Sequence, residues 1–156
     1  MVAAALRPYG PRVTTPRALL LFSWAAHRVL HRLGGPRSAT ELPSKGKVGT
    51  LFLVSTGRRS GKQRRNGLFY IEDGPNLVVV ASNAGENVDP QWWKNLQATP
   101  DADVETHAGQ VPVRARTATD EETARLWPAL EAANPEYAVY RRTTLRKIPV
   151  VILERR

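Results

Sequence analysis

The sequence predicts a mainly β protein with helices (α+β), built as a small antiparallel β-barrel of about six strands with short helices around it. Three observations carry this reading. Short apolar, β-branched runs recur with turn signals between them, at 48–56, 65–73, 76–83, the two halves of 103–118, and 148–154. Helical patterning is confined to short pieces beside those runs. No Gly-x-Gly-x-x-Gly follows any strand, and the spacing does not suit alternating strand and helix, so a doubly wound parallel sheet is excluded.

The elements follow in chain order. Thr15 then Pro16 reads as an N-cap and first helical position, and Gly34-Gly35-Pro36 as a stop. Between them Leu19, Phe22, Ala26, Val29, Leu30 and Leu33 share one stripe, with Arg17, Arg28 and Arg32 opposite. This amphipathic helix, 16–33, either packs its apolar face on a core or rests on an anionic membrane or ligand; both stay open. The chain divides into a basic N-terminal extension, 1–47, and a barrel domain, 48–156. "VGTLFLVST" (48–56) and "RNGLFYIED" (65–73) are the first two strands. "NLVVVASN" (76–83) is the third, after the turn Asp73-Gly74-Pro75. Asp89-Pro90 opens a short helix that Pro100 ends, and 103–118 is a hairpin turning at Ala108-Gly109. Thr119 with Glu122 is a capping box for the helix "DEETARLWPALEAA". Pro135 opens a last helical piece, and "IPVVILE" (148–154) is the final strand.

Composition narrows the chemistry. There is no Cys, so disulfides and thiolate catalysis are excluded. The three His and the thin spread of carboxylates provide no metal site, and His27 and His31, although four apart, lack the partners of a zinc motif. The net charge of +9 divides as +7 over 1–47, +5 over 48–70 and −3 over 71–156. A basic front half implies an anionic partner. The apolar run 18–26 spans nine residues, short of the roughly 20 that cross a bilayer, and no cleavage site follows it. The expected location is the cytoplasm, or the inner face of the cell membrane as a peripheral protein.

Three stretches carry candidate chemistry. "STGRRSGKQRRNG" (55–67) has five basic residues between Arg58 and Arg65 and no acid. Gly57 and Gly61 allow a tight turn with exposed amides, Ser60 adds a hydroxyl, and the arginines can grip phosphate or carboxylate in pairs. On charge alone, an anion clamp and a solvated basic turn fit equally well. "VVVASNAGENVDPQWWKNL" (78–96) runs from an apolar strand into small residues, leaving room for a flat ligand. Ser82 and Asn83 offer hydrogen bonds there, and Trp92 and Trp93 stacking area. "NPEYAVYRRTT" (134–144) places Tyr137 and Tyr140 on one helical face, as core-edge residues or as proton donors.

Taken together and in this order, "TGRRSGKQRRNGLFYIEDG", "LVVVASNAG", "DPQWWKNLQATP", "TDEETARLWPAL" and "NPEYAVYRRTTLRKIPVVILE" resemble the deazaflavin-dependent nitroreductase family, also called the F-420-dependent quinone reductases. The resemblance runs from about residue 48 to 154. It implies a split β-barrel, like the FMN-binding split barrels, that binds coenzyme F-420, a deazaflavin with a phosphate and an oligoglutamate tail. Arg58, Arg59, Ser60, Gly61, Arg64 and Asn66 would then hold the anionic end. Val80, Ala81, Ser82 and Asn83 would lie along the ring, with Trp92 and Trp93 walling the groove. Ser82, Tyr137 and Tyr140 would meet charge developing on the acceptor or supply its proton. Phe69 and Asn134 would border the substrate pocket; some similar proteins that activate nitro drugs carry Tyr at both positions, which sets this chain apart from them.

The resemblance implies hydride transfer to a quinone, nitroaromatic or enone acceptor, by a monomer or homodimer. Two other readings compete. An FMN-binding split barrel would need fewer cations than the five present for a single phosphate. A nucleic-acid or anionic-surface module would interleave aromatics with the basic run, whereas here they sit mainly in the acidic back half, so no nucleic acid is expected.

Overall fold

A computed structural model describes residues 40–156. The helix expected over 16–33, its membrane contact and the His27–His31 pair lie outside the described residues. Six strands form: β1 (Gly49–Thr56), β2 (Gln63–Asp73), β3 (Asn76–Val80), β4 (Asp101–Thr106), β5 (Gly109–Thr117) and β6 (Val150–Arg155). Among them stand a 3₁₀ turn (Asn83–Gly85) and the helices α1 (Gln91–Ala98), α2 (Asp120–Ala133) and α3 (Glu136–Thr143). The strands close in the order β1-β2-β3-β6-β5-β4, and each neighbouring pair is antiparallel. The expected barrel is therefore present, and it is fully closed.

Period-two alternation supplies the interior. Leu51 and Leu53 of β1, Leu77 and Val79 of β3, Val113 and Ala115 of β5, and Val151 and Leu153 of β6 meet Tyr70 and Val104 in one buried cluster. So narrow a barrel is filled by its own side chains. Trp92, Trp93 and Leu96 join that cluster, so α1 plugs one end. The opposite faces of β3 and β6 are also buried: Val78, Val80, Val150 and Ile152 pack with Leu126, Trp127 and Leu130 of α2 and Tyr137 of α3. Burial on both faces explains why "LVVVA" and "PVVIL" read as continuous apolar runs rather than alternating ones.

Several boundaries differ from expectation, each for a backbone reason. β3 stops at Val80 because Asn83 and Ala84 take positive φ (49° and 54°), which a strand cannot hold. β6 starts at Val150 because Pro149 has no N–H to donate; its carbonyl instead accepts from the Ala81 amide at 2.9 Å. The 101–117 hairpin turns at His107-Ala108, one residue early, since Thr106 still pairs with Gly109. β2 begins at Gln63, two residues earlier than expected, which puts Arg64 on the strand beside Arg65 rather than in the turn.

The capping box at α2 is present: the Thr119 hydroxyl accepts from the Glu122 amide at 3.2 Å, and the Glu122 carboxylate accepts from the Thr119 amide at 2.8 Å. Glu122 also takes two bonds from Arg116 of β5, at 2.7 and 2.8 Å. Arg116, first, and the Thr119 amide pull its carboxyl down to about 2. A carboxyl lowered in the folded state stabilises fully above its ordinary value of 4.5 and loses that contribution as pH falls toward 2. Thr119→Ala is expected to cost about 1 kcal/mol in chemical denaturation. Glu122→Gln should flatten the acid limb of stability between pH 4.5 and 2, read by thermal melts across that range.

Candidate active site

In a closed antiparallel barrel, strand ends alternate between two rims. One rim collects the ends of β1, β3 and β5 and the starts of β2, β4 and β6. Segments 57–62, 81–90 and 144–149, together with α1, therefore share that rim. The basic stretch and the small-residue stretch, well separated in sequence, are brought to the same end of the barrel by topology.

The basic stretch folds as a tight loop. The Gly57 amide donates to the Lys62 carbonyl at 2.8 Å, and the Gly57 carbonyl accepts from Ser60 and Gly61 at 3.1 and 2.8 Å. A Cβ on Gly57 would lie 3.0 Å from both the Lys62 carbonyl oxygen and the Ser60 hydroxyl, so only glycine fits comfortably. Beside the loop is a cavity of about 500 Å³ lined by Arg58, Arg59, Ser60, Arg64, Asn66 and Trp92, together with Gln63, Arg65, Gln91 and Asn95.

The five cations divide into two groups. Arg58 is committed to α1: its Nη1 donates to Gln91 Oε1 at 3.0 Å and Asn95 Oδ1 at 3.2 Å, and its amide also donates to Asn95 Oδ1 at 3.2 Å. Arg65 pairs with Glu105 on β4 and lies 4.1 Å from the centre of the Phe52 ring. Arg59, Lys62 and Arg64 are exposed and have no carboxylate partner among the described residues. Arg64 Nη2 lies 3.4 Å from Ser60 Oγ, which turns it toward the loop.

Across the rim, β3 runs into a bend. Ser82 is right-handed, and Asn83, Ala84 and Gly85 then take positive φ. Asn83 Nδ2 ties the bend to the Val88 carbonyl at 3.0 Å. The 144–146 strap holds it from outside. Asn87 Oδ1 accepts from Thr144 Oγ1 at 3.0 Å and the Leu145 amide at 2.7 Å. Arg146 donates to the carbonyls of Glu86 (2.9 Å), Ala81 (2.8 Å) and Ser82 (2.9 Å), and to the Asp89 carboxylate (2.8 Å).

The remaining sequence-derived candidates fall as follows. Trp92 and Trp93 both lie in the core at the barrel's plugged end, and Trp92 also borders the cavity. Ala81 and Ser82 are buried at the bend, and Val80 belongs to the cluster under α2 and α3. Tyr137 is 5 % exposed, and burial pushes its hydroxyl up to about 12 despite the neighbouring Asn134 amide. Tyr140, its edge-on neighbour at 6.4 Å, is half-buried and leans on the bend: a Cβ at Gly85 would meet Tyr140 Cδ1 at 3.0 Å. Burial also raises the Tyr140 hydroxyl. Of the two tyrosines, Tyr140 is the more exposed, and it reaches Gly85 of the bend. Asn134 ends α2, where its Oδ1 accepts the Glu136 amide at 3.2 Å, and Phe69 sits half-buried opposite Thr50 on β2. Gln91, Asn95 and Arg146 had no sequence signal beyond type. Gln91 and Asn95 are four apart and so share a helix face, but nothing in the sequence names Arg58 as their partner.

A family model described as "F-420H(2)-dependent quinone reductase" matches residues 25–155. A relative from Mycobacterium tuberculosis, whose name provisionally assigns that same activity, is 41% identical over 109 residues, 70% of this chain and 92% of its own length. A second M. tuberculosis relative, named as an F-420H(2)-dependent quinone reductase, is 33% identical over 133 residues, 83% of this chain and 88% of its own. A solved structure of an F-420-H2-dependent reductase, FDR-A, superposes with a TM-score of 0.62 at 34% identity, covering 67% of this chain and 93% of that one.

The bend makes a stability prediction. Ala84 is exposed and left-handed, a conformation that costs a non-glycine residue about 1 kcal/mol or more. Ala84→Gly should raise the denaturation midpoint, whereas Gly85→Ala should lower it, because φ there is +81° and Tyr140 is in the way.

Proposed function

The chain belongs to the F-420H(2)-dependent quinone reductase family, and from that premise we propose that it takes hydride from reduced coenzyme F-420 and delivers it to a quinone. The observation that carries this assignment to particular residues is the set of three unpaired cations, Arg59, Lys62 and Arg64, on the rim that also holds the bend at 81–85. A phosphate with a string of carboxylates needs several separate positive charges, and a flat ring needs a shelf of small residues beside them. Both are on one rim, so the residues present fit the coenzyme. FMN, with its single phosphate, would leave part of the clamp unused.

In this reading Arg59, Arg64 and Ser60 hold the phosphate and first carboxylates, with Lys62 at the outer edge of the tail. Arg58 acts indirectly, fixing the loop to α1. The main chain of Ala81, Ser82 and Asn83 supports the ring, with Asn66 and Trp92 bordering it. When bound, the reduced deazaflavin supplies a hydride and little one-electron chemistry. With it bound, the chain would hold donor against acceptor and would meet the negative charge that grows on the acceptor oxygen. Tyr140 and Ser82 are the groups assigned to that charge. Tyr137, whose hydroxyl stays protonated to about 12, supports Tyr140 from the core.

A quinone with a long apolar tail resides in lipid. The basic, amphipathic sequence of 16–33 is the segment assigned to the membrane surface. Nitroaromatic and enone acceptors share the electrophilic character of a quinone and are assayed beside it.

The direct test is fluorescence titration with oxidised F-420 and with FMN, then turnover with menadione. Binding of the first ligand alone is expected; binding of FMN alone would overturn the assignment. Arg59→Ala with Arg64→Ala should weaken coenzyme binding by at least about 100-fold, since each charge-assisted bond contributes about 1.5–3 kcal/mol. Thermal stability should hold, because neither side chain has a carboxylate partner among the described residues. Tyr140→Phe should lower kcat about tenfold or more with little change in binding, and a larger loss in Tyr137→Phe would reverse their assigned roles.

A further inference from the structure

The bend at 81–89 has an unusual need. Beyond Val80 the chain leaves the sheet, so its carbonyls lose their ladder partners while Ala81 and Ser82 remain buried. Two non-glycine residues in it, Asn83 and Ala84, are left-handed, and such residues persist only where the surroundings over-determine them. The strap before β6 meets most of this need with one side chain, Arg146, only 15% exposed, beside weaker help from the Gly85 amide at the Ser82 carbonyl and Thr144 Oγ1 at the Glu86 carbonyl. Arg146 Nη2 bridges two successive carbonyls, Ala81 and Ser82, while Nε takes the Glu86 carbonyl and Nη1 the Asp89 carboxylate. Both ends of the bend are thereby fastened to one rigid plane.

We infer that Arg146 is a positioning residue for the reductase reaction. It fixes the main-chain path of 81–89, and so the seat of the ring, without touching coenzyme or acceptor itself. The inference rests on the functional reading above for its catalytic consequence and on the hydrogen bonds alone for its structural one. Lysine keeps the charge but not the planar fork, and a single ammonium cannot serve four acceptors spread from residue 81 to 89. The charged clamp, a separate loop, supplies most of the affinity in this reading, so loosening the seat of the ring should change coenzyme affinity little and disturb chiefly the reacting geometry, where a shift of about 1 Å can cost about 100-fold in rate.

The test uses the full chain with Arg146→Lys, Asp89→Asn, and Lys147→Gln as control; Lys147 points to Asp120 on α2, and its side chain is 76% exposed. Three readouts are taken: Kd for F-420, kcat with F-420H2 and menadione, and hydrogen exchange of the coenzyme-free protein. Arg146→Lys should keep Kd within about threefold, lower kcat about 10- to 100-fold, and speed exchange at 81–89 while the barrel strands stay protected. Asp89→Asn, which keeps the three carbonyl bonds, should show the same pattern more weakly, and Lys147→Gln should match the parent. Parental kcat with parental exchange in Arg146→Lys would overturn the inference, and so would a kcat that falls only in step with loss of folded protein. Should the parent protein fail to turn over F-420H2, the functional reading fails and takes the catalytic consequence with it, while local exchange at 81–89 still decides the structural one.

Discussion

Closure of the six-stranded sheet is the constraint on which the site depends. Pairing of β1 with β4, through Phe52–Val54 and Asp103–Glu105, joins the two ends of the sheet and leaves no free edge among the described strands. Once closed, so small a barrel has no lumen, because its inward residues meet at the axis. A ligand must therefore sit at a rim or on the outer wall. Antiparallel order then sends the basic loop, the bend after β3, α1 and the strap before β6 to one rim. The site follows from topology before any side chain is considered.

Charge on that rim is divided by partnership. Arg58 and Arg146 spend their donors on neutral amides and carbonyls, with Asp89 added for Arg146. They hold loops in place. Arg65 and Arg116 have carboxylates against them, at Glu105 and Glu122, as has Arg125 at Asp73, at the far end of β2. Among the described residues Arg59, Lys62 and Arg64 have neither arrangement, and the proposed anion site rests on their uncompensated field. Exposed pairs such as Lys147–Asp120 contribute only about 0–1 kcal/mol, so the fold does not depend on them. An unpaired cluster is instead mildly unfavourable to the folded chain, which fits the proposed anion clamp better than a stabilising role.

The bend shows a similar trade. Two left-handed non-glycine residues cost stability where a glycine would not, yet they let the main chain leave β3 and turn across the rim within a few residues. The strap holds that strained path from outside, and Tyr140 braces it at Gly85. The barrel wall is built for packing, while the rim loops are built from polar bonds to backbone, as a site that must keep one geometry requires.

By itself the sequence determined the barrel, because alternating and doubly apolar runs have few other ways to bury their faces. It determined the α2 capping box, Thr119 with Glu122, because that motif is local. It also determined the family, through motifs whose order is informative even where each is short. Only the tertiary structure decided which cations are free. Arg58 and Arg59 are adjacent and identical in type, and only the approach of Gln91 and Asn95, 33 and 37 residues away, separates them. It likewise decided that both Trp92 and Trp93 belong to the core, that Tyr140 reaches Gly85 of the bend, and that Arg146 fastens residues 57 to 65 positions earlier in the chain. Such contacts arise from which strand ends share a rim, a property of the closed sheet as a whole that no local stretch of sequence encodes.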